Sequence, residues 1–589
     1  MYTSFAWTRG LLPNIDFING YPGLLAYLLK SLYVYIGSEL YFIRIFSIIF
    51  SLVTASCLFY ITFKSLNTYI AALVFLSSFF VNYLSSPLPN PGNAMSACIS
   101  LAMVLVLIFI NRMDESAAGG VGVGPAYYLM LLAAAFFTGL AISFKQAGLF
   151  GILGLLMFLV ISLRKTKSTN ILQWIAFFLF VVIPFSIFIV TRVPDNIRDQ
   201  PYNFVVLIPW AMAIIIGFKI FAADLYKNNL QLSLKITICI SLFLFSGSVI
   251  WLFLYPVSLG SFLNIVKQIY IIVPAFIDKL NYNASIDRFF ATLILLVIII
   301  ILLFLSKKQI SRFRKLLLAV SAVILVSMYV FLFKITLLRI SPVLYESYLI
   351  PSFLSVIGSY LIIKRRDLFS YGEIVIILAG FIFIASGFPY PKNTRYASFG
   401  VLACYLPGLI FLHREYRIFK RTRAAVAVFC VLLFVSVAGM IAISYFPVKY
   451  GSDYFSFHNS RITISKDQIA LLKAADWLKE NTSVNDTIGG YPNFALVFYL
   501  IEKTSYDRFP NFIGNENDYN SIAAGLNKGN GPDYYLLSPV LYPYTGKLQR
   551  QFIDPHGIEA ALARHYRVIK VIQDVKGNDA IYIHRRINI

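Results

Sequence analysis

Apolar runs of about 20 residues recur along most of this chain, and that is the length an α-helix needs to cross a hydrocarbon layer about 30 Å thick. They lie at 39–63, 68–84, 94–111, 126–144, 147–163, 171–191, 203–222, 234–255, 288–306, 316–334, 345–363, 370–388, 397–413 and 424–446. A segment immersed in lipid must satisfy its backbone hydrogen bonds internally, which helices do. The runs therefore predict a polytopic α-helical membrane protein of about fourteen spans. Composition agrees, since 59% of the 589 residues are hydrophobic and 13% charged, against roughly half and a quarter in ordinary globular chains. A soluble fold has no interior for so much apolar surface.

The formal charge of +23 would suggest nucleic acid in a soluble protein, but its location removes that reading. Residues 447–589 carry 16 Lys+Arg against 14 Asp+Glu, whereas residues 1–446 carry 34 against 13. The excess sits in the apolar part, as cytoplasmic loops rich in Lys and Arg explain. The most basic connections are Arg164–Lys167, Lys307–Lys315, Lys364–Arg366 and Arg414–Arg423. They follow expected spans five, nine, eleven and thirteen, so one parity satisfies all of them. That parity puts the hydrophilic tail and residues 1–38 on the extracytoplasmic side of what reads as a bacterial inner (plasma) membrane. Because Met1–Gly10 has no basic start leading into an apolar core, it reads as neither signal peptide nor anchor. An exported N-terminal segment then points to a first span ahead of this start, or to a short neutral tail that crosses unaided.

Three regions are expected. Residues 1–38 form an outer loop containing Tyr21–Gly37, which is aromatic-rich, broken by Pro22 and Gly23, and reads as a helix in the membrane interface. Residues 39–446 form the transmembrane domain, with outer loops at 85–93, 257–287 and 388–396. Residues 447–589 read as an extracytoplasmic α/β domain. Its Ser465 and Gln468 have capping-box spacing at the start of a helix reaching Glu480. Strands are expected at Asp486–Tyr491 and Tyr534–Ser538, and helices at Asn493–Lys503 and Ile558–Tyr566. A terminal hairpin joins Arg567–Asp574 to Ala580–Arg585 through Lys576-Gly577-Asn578-Asp579.

The outer segment reads Gly10-Leu11-Leu12-Pro13-Asn14-Ile15-Asp16-Phe17, then Tyr21-Pro22-Gly23-Leu24, then the interfacial helix and Arg44. Phe144-Lys145-Gln146-Ala147-Gly148-Leu149 lies at the outer junction of spans four and five. The tail contains Ala474-Ala475-Asp476-Trp477-Leu478-Lys479-Glu480-Asn481, followed by Asp486-Thr487-Ile488 and Tyr491-Pro492. In order and placement these motifs resemble the GT-C glycosyltransferases, in particular the polyprenyl-phosphate-sugar branch related to the protein mannosyltransferases and aminoarabinose transferases. Asn14 stands where that group commonly has Tyr.

The resemblance implies transfer of a sugar from a polyprenyl-phosphate donor to a lipid, polysaccharide or protein acceptor at the outer face of the membrane. Such a donor keeps its lipid in the bilayer and its sugar at the surface, so the site belongs under the outer loops. An inverting transfer needs a carboxylate base for the acceptor and cations for the departing phosphate. The family places its principal carboxylate about ten residues before the Gly-x-x-Pro motif, upstream of Met1. Asp16 is the nearest retained acid, as an active-site neighbour or as a turn residue before the helix. The resemblance leaves room for a divalent cation but requires none.

Lys145, between two apolar runs, is the leading phosphate-binding candidate; otherwise it snorkels to the interface. Arg395, in the outer loop before span thirteen, would clamp the same phosphate or serve as an interfacial arginine. Lys267, Arg288 and Arg44 rank below them, Arg44 reading equally as a boundary anchor. The five histidines lack metal-ligand spacing, and all five cysteines fall inside apolar runs. Gly119–Gly124 has no following Lys-Ser/Thr and reads as a linker. A transporter or lipid-linked saccharide flippase is the rival class, although the span centres carry almost no charge. A surface-polysaccharide polymerase or ligase is the third reading.

Overall fold

The computed structural model describes residues 2–9, 11, 23–36, 40–85, 90–119, 125–145, 148, 211–213, 215, 349–385, 398–416, 454–457, 460–463, 469–491, 494–506, 516–538, 557–574 and 577–587. Two short helices come first, α1 (Tyr2–Thr8) and α2 (Leu24–Tyr35). Next are α3 (Leu40–Ser65), α4 (Thr68–Ser85), α5 (Pro91–Gly119) and α6 (Pro125–Phe144). A second group comprises α7 (Leu349–Lys364), a 3₁₀ turn at Arg366–Leu368, α8 (Tyr371–Ala385) and α9 (Ser398–Tyr416). The chain divides into two compact units, one of Met1–Ile45, Leu252–Tyr282 and Ile441–Ile589, the other of Phe46–Trp251 and Asn283–Met440.

Within the second unit the helices are apolar almost throughout. Arg44–Ser65 and Pro91–Arg112 are long and apolar enough to cross a membrane, with mean hydropathies of 2.1 and 2.4. Leu129–Phe144, Leu354–Lys364 and Tyr371–Ile384 are shorter apolar stretches. Local chemistry sets the helix starts. Asn67 accepts a bond from the Ile70 amide at 2.9 Å to cap α4. Asn90 accepts one from the Gly92 amide at 2.7 Å, and Pro91, lacking the N–H that would be orphaned there, opens α5. α5 thus begins three residues before the expected 94 and runs past the expected 111 to Gly119.

Helices α7, α8 and α9 approach closely because small residues face one another. A Cβ on Gly380 would fall 1.9 Å from that of Ala403, and one on Gly358 would fall 2.8 Å from Cγ of Pro407. Charged groups tie the Lys364–Arg366 end of α7 to the start of α8 and the end of α9. Ser370 and Glu373 form a capping box, with the Ser370 amide donating to Glu373 at 2.8 Å and the Glu373 amide to Ser370 at 3.3 Å. Arg414 donates to both oxygens of that glutamate, at 2.9 and 2.5 Å. Arg365 pairs with Asp367 and Glu415.

In the first unit the tail carries a two-stranded antiparallel sheet, β1 (Tyr454–Phe457) with β2 (Ser460–Thr463). Its remaining elements are α10 (Ile469–Asn481), β3 (Ile488–Tyr491), α11 (Ala495–Leu500), α12 (Glu516–Asn527), β4 (Tyr534–Leu537), α13 (Ile558–His565), β5 (Tyr566–Gln573) and β6 (Asp579–Arg586). The four-stranded sheet has the order β3-β4-β6-β5, with β3 parallel to β4 and the other pairs antiparallel. The expected strands, helices and hairpin of the tail lie within two to three residues of these bounds, while β1, β2 and α12 were not expected. The hairpin turn needs a positive φ, which Gly577 supplies at 82°. One face of the sheet packs Tyr535 and Leu537 against Leu526, Ile558 and Leu562. Asp533 fastens the sheet's end, accepting from Thr487 at 2.9 and 2.8 Å and from Arg586 at 2.9 Å.

Apart from residues 148, 211–213 and 215, the expected spans between 147 and 334 lie outside the described residues, as do the one at 424–446 and Ser465 and Gln468.

Candidate functional site

Lys145 sits at the last turn of α6. Its amide donates to the Ala141 carbonyl at 3.0 Å, and its own carbonyl accepts from the Gly148 amide at 2.8 Å. This turn folds the chain back over the helix it has just left. A Cβ on Gly148 would fall 2.5 Å from the Ala141 carbonyl carbon and 2.6 Å from the Ile142 nitrogen. Only glycine permits that approach, so Gly148 is what allows the turn. Beside it, Phe144 is buried and meets Phe50 of α3 edge-on at 5.7 Å.

The consequence for Lys145 is burial, with 8% of the residue exposed. Burial disfavours the ammonium and lowers its pKa from the usual lysine range to about 8. The side chain stays largely cationic at neutral pH and would gain from an anionic ligand. Small polar side chains gather at the same end of the unit. Ser47 and Ser51 of α3, Asn93, Ser96 and Ser100 of α5, and Ser143 of α6 are all buried.

Of the other expected site residues, Asp16, Arg395, Lys267 and Arg288 lie outside the described residues. Arg44 is placed in α3, and its Nε is buried without a hydrogen-bond partner. Among the described residues no cluster of three or more His, Cys, Asp or Glu could hold a metal ion.

The first unit joins the two ends of the chain. Phe5 of α1 meets Tyr499 of α11 edge-on at 6.0 Å. Tyr33 of α2 donates to the Tyr499 hydroxyl at 3.5 Å. Trp7 packs on Tyr27 at 5.6 Å, with the Lys30 ammonium 5.3 Å from the Trp7 ring. Burial, reinforced by the mutual contact, pushes the Tyr33 phenol far above its usual pKa, and burial raises Tyr499 as well. Both therefore act as neutral hydrogen-bonding groups. Leu24, Leu25, Ala26, Leu29 and Leu32 form the buried side of α2, whereas Tyr27, Val34 and Tyr35 are exposed. Sequence reasoning missed α1, and the signal was there in the apolar aromatic spacing of Phe5, Ala6 and Trp7.

No protein-family model matches the chain, and no curated protein matches it. Solved structures do. The archaeal oligosaccharyltransferase AglB from Archaeoglobus fulgidus, in complex with an inhibitory peptide and a dolichol-phosphate, matches at 11% identity over 99% of this chain and 69% of that one, with a TM-score of 0.44. The oligosaccharyltransferase of the same organism, in complex with Zn and sulfate, matches at 11% identity over 98% and 68%, again at 0.44. ArnT from Cupriavidus metallidurans, bound to undecaprenyl phosphate, matches at 12% identity over 100% and 93%, with a TM-score of 0.34.

Proposed function

We propose that this protein is an integral-membrane glycosyltransferase that moves a sugar from a polyprenyl-phosphate donor to a lipid, glycan or protein acceptor at the extracytoplasmic face. The observation that carries the reading is Lys145, a lysine held almost wholly buried by a glycine-dependent turn at the end of an apolar helix. A cation kept at that depth suits a ligand whose charge sits at the boundary between lipid and water, as a prenyl-linked phosphate does. The packing of α1 and α2 on the tail helix α11 supports placing residues 1–38 and residues 447–589 on one side of the membrane.

In the proposed step an acceptor hydroxyl attacks the anomeric carbon of the donor sugar. The bond from that carbon to the phosphate oxygen breaks, its electron pair leaves with polyprenyl phosphate, and the hydroxyl proton passes to a carboxylate base. Lys145 stabilises the charge that builds on the departing phosphate. Arg395 is proposed to share that charge, and Asp16 to lie beside the reacting groups.

The test uses membranes containing the protein and a radiolabelled polyprenyl-phosphate sugar. Label should pass to an acceptor, and Lys145→Ala should abolish the transfer. Movement of the intact lipid-linked sugar across vesicles without loss of its phosphate bond would replace this reading with the transporter or flippase. Chain lengthening of a saccharide already bound to lipid would favour the polymerase or ligase.

A further inference from the structure

Hydroxyls inside a helix ordinarily satisfy themselves by donating to the carbonyl four residues back. Thr54 does so to Phe50 at 2.9 Å, Thr62 to Leu58 at 2.8 Å, and Thr138 to Ala134 at 2.7 Å. Ser143 bonds Gly139 at 3.3 Å, and Ser355 bonds Pro351 at 2.7 Å. Ser51 of α3 and Ser100 of α5 break the pattern, for both are fully buried and neither hydroxyl has a hydrogen-bond partner. An unsatisfied buried hydroxyl is destabilising, so two near one level of a bundle call for an explanation.

The level is that of Lys145. Ser51 follows Phe50, whose ring lies against Phe144, the residue before Lys145. Helices α5 and α6 run antiparallel from Gly119 and Pro125. Counting equal rises from those two ends puts Ser100 roughly level with Phe144. Three helices thus bring one lysine and two hydroxyls without partners to the same end of the unit. Ser47, Asn93 and Ser96, all buried, make that end polar as well.

We infer that Ser51 and Ser100 donate hydrogen bonds to the phosphate oxygens of a lipid-linked ligand whose charge is met by Lys145. The inference rests on the proposed function and deepens it, since it names further binding groups of the same site. A phosphate presents several acceptor oxygens and takes two hydroxyl donors and an ammonium together. The prenyl chain would leave between apolar helices, where a free anion gains nothing.

The test measures binding of polyprenyl phosphate, polyprenol and inorganic phosphate to the purified full-length protein in detergent. Ser51→Ala and Ser100→Ala should each weaken polyprenyl phosphate binding about tenfold, the loss expected for one hydrogen bond to a charged group. Thermal stability of the unliganded protein should not fall, and polyprenol binding should be unchanged. Ser78→Ala serves as the control. Ser78 is equally buried and without a partner; taking α4 as reversing on α3 across the two residues between Ser65 and Thr68, the ring contact of Phe59 with Phe75 sets it about five residues deeper than Ser51. Wild-type affinity in both serine variants, with binding still lost in Lys145→Ala, overturns the inference and leaves the reading of Lys145 intact. Equal affinity for inorganic phosphate, lost equally in the variants, overturns the lipid-linked ligand. Absence of polyprenyl phosphate binding by the wild-type protein overturns the inference together with the proposed function.

Discussion

Tyr33 and Tyr499, 466 positions apart in the chain, meet hydroxyl to hydroxyl at 3.5 Å. Neither phenol ionises in any working range, because burial raises both, so the contact is insensitive to pH. Tyr499 also supplies the ring against which Phe5 packs, and it is the joint through which α1 and α2 are held to the tail.

Removing that ring should loosen the segment without unfolding either unit. Tyr499→Ala should cost about 3–5 kcal/mol of local stability, in the range of other aromatic truncations. Tyr33→Phe, which loses one long hydrogen bond, should cost about 1 kcal/mol or less. Limited trypsin digestion of the full-length protein in detergent reads the difference at Lys30, whose ammonium lies over Trp7. Cleavage there should accelerate by more than tenfold in Tyr499→Ala and change little in Tyr33→Phe. Equal rates in all three proteins would show that the contact holds nothing in place.

The pair Glu373 and Arg414 is asymmetric. Glu373 has 3% of its side chain exposed and Arg414 has 32%. Truncating the arginine strands a buried carboxylate, whereas truncating the glutamate leaves a guanidinium that can turn to water. Arg414→Ala should therefore destabilise by about 3 kcal/mol and Glu373→Ala by less, even though the latter also removes half of the capping box. Thermal denaturation of the two variants and their double mutant decides it. The idea fails if Glu373→Ala is the worse of the two.

The sequence announced some of this and hid the rest, for identifiable reasons. The basic loops at Lys364–Arg366 and Arg414–Arg423 predicted one common side for those helix ends, and the ion pairs there join them. Ser370-x-x-Glu373 was readable as a helix start, since capping is local chemistry. That Arg414 would be the partner of Glu373 was not, because the pairing is set by how α8 packs on α9. The tail's terminal hairpin was legible from its alternation and its Gly577 turn. Helix α12 was not, because Glu516–Asn527 carries few apolar residues and declares its buried side only once Ala523 and Leu526 meet α13. Within the site, Lys145 stood out as a cation between apolar runs. Ser51 and Ser100 could not, since a sequence does not say whether a serine bonds its own helix.

Burial sets a pH dependence on the proposed phosphate site. With the free Lys145 at about 8, a bound anion should raise it, so binding takes up a proton where the free lysine is neutral. Affinity for polyprenyl phosphate should hold steady from about pH 7, where the phosphate monoester is already doubly ionised, to about pH 8. It should weaken toward tenfold per unit above that, until the bound lysine itself titrates. Lys145→Arg, charged throughout, should flatten the profile between pH 7 and 10. A slope that persists in Lys145→Arg would assign the titration to another group.

His584 gives the tail an acid limit. It lies on β6, buried, directly across from Tyr535 on β4, and its Nδ1 has no hydrogen-bond partner. Burial lowers its pKa below the usual 6.5, against the pull of backbone groups of Tyr535 and Tyr582. The folded state thus holds the neutral imidazole, while the unfolded chain takes up a proton near 6.5. Stability contributed by this group is complete above that pH and declines as the pH falls from 6.5 toward the lower folded value. Hydrogen-exchange protection factors of the β4 and β6 amides in the full-length protein, rates corrected for the fall of intrinsic exchange with pH, should drop across that interval beyond the carboxylate-driven trend. His584→Phe, which cannot titrate, should lose that extra drop, and matching pH profiles in the two proteins would sink the assignment.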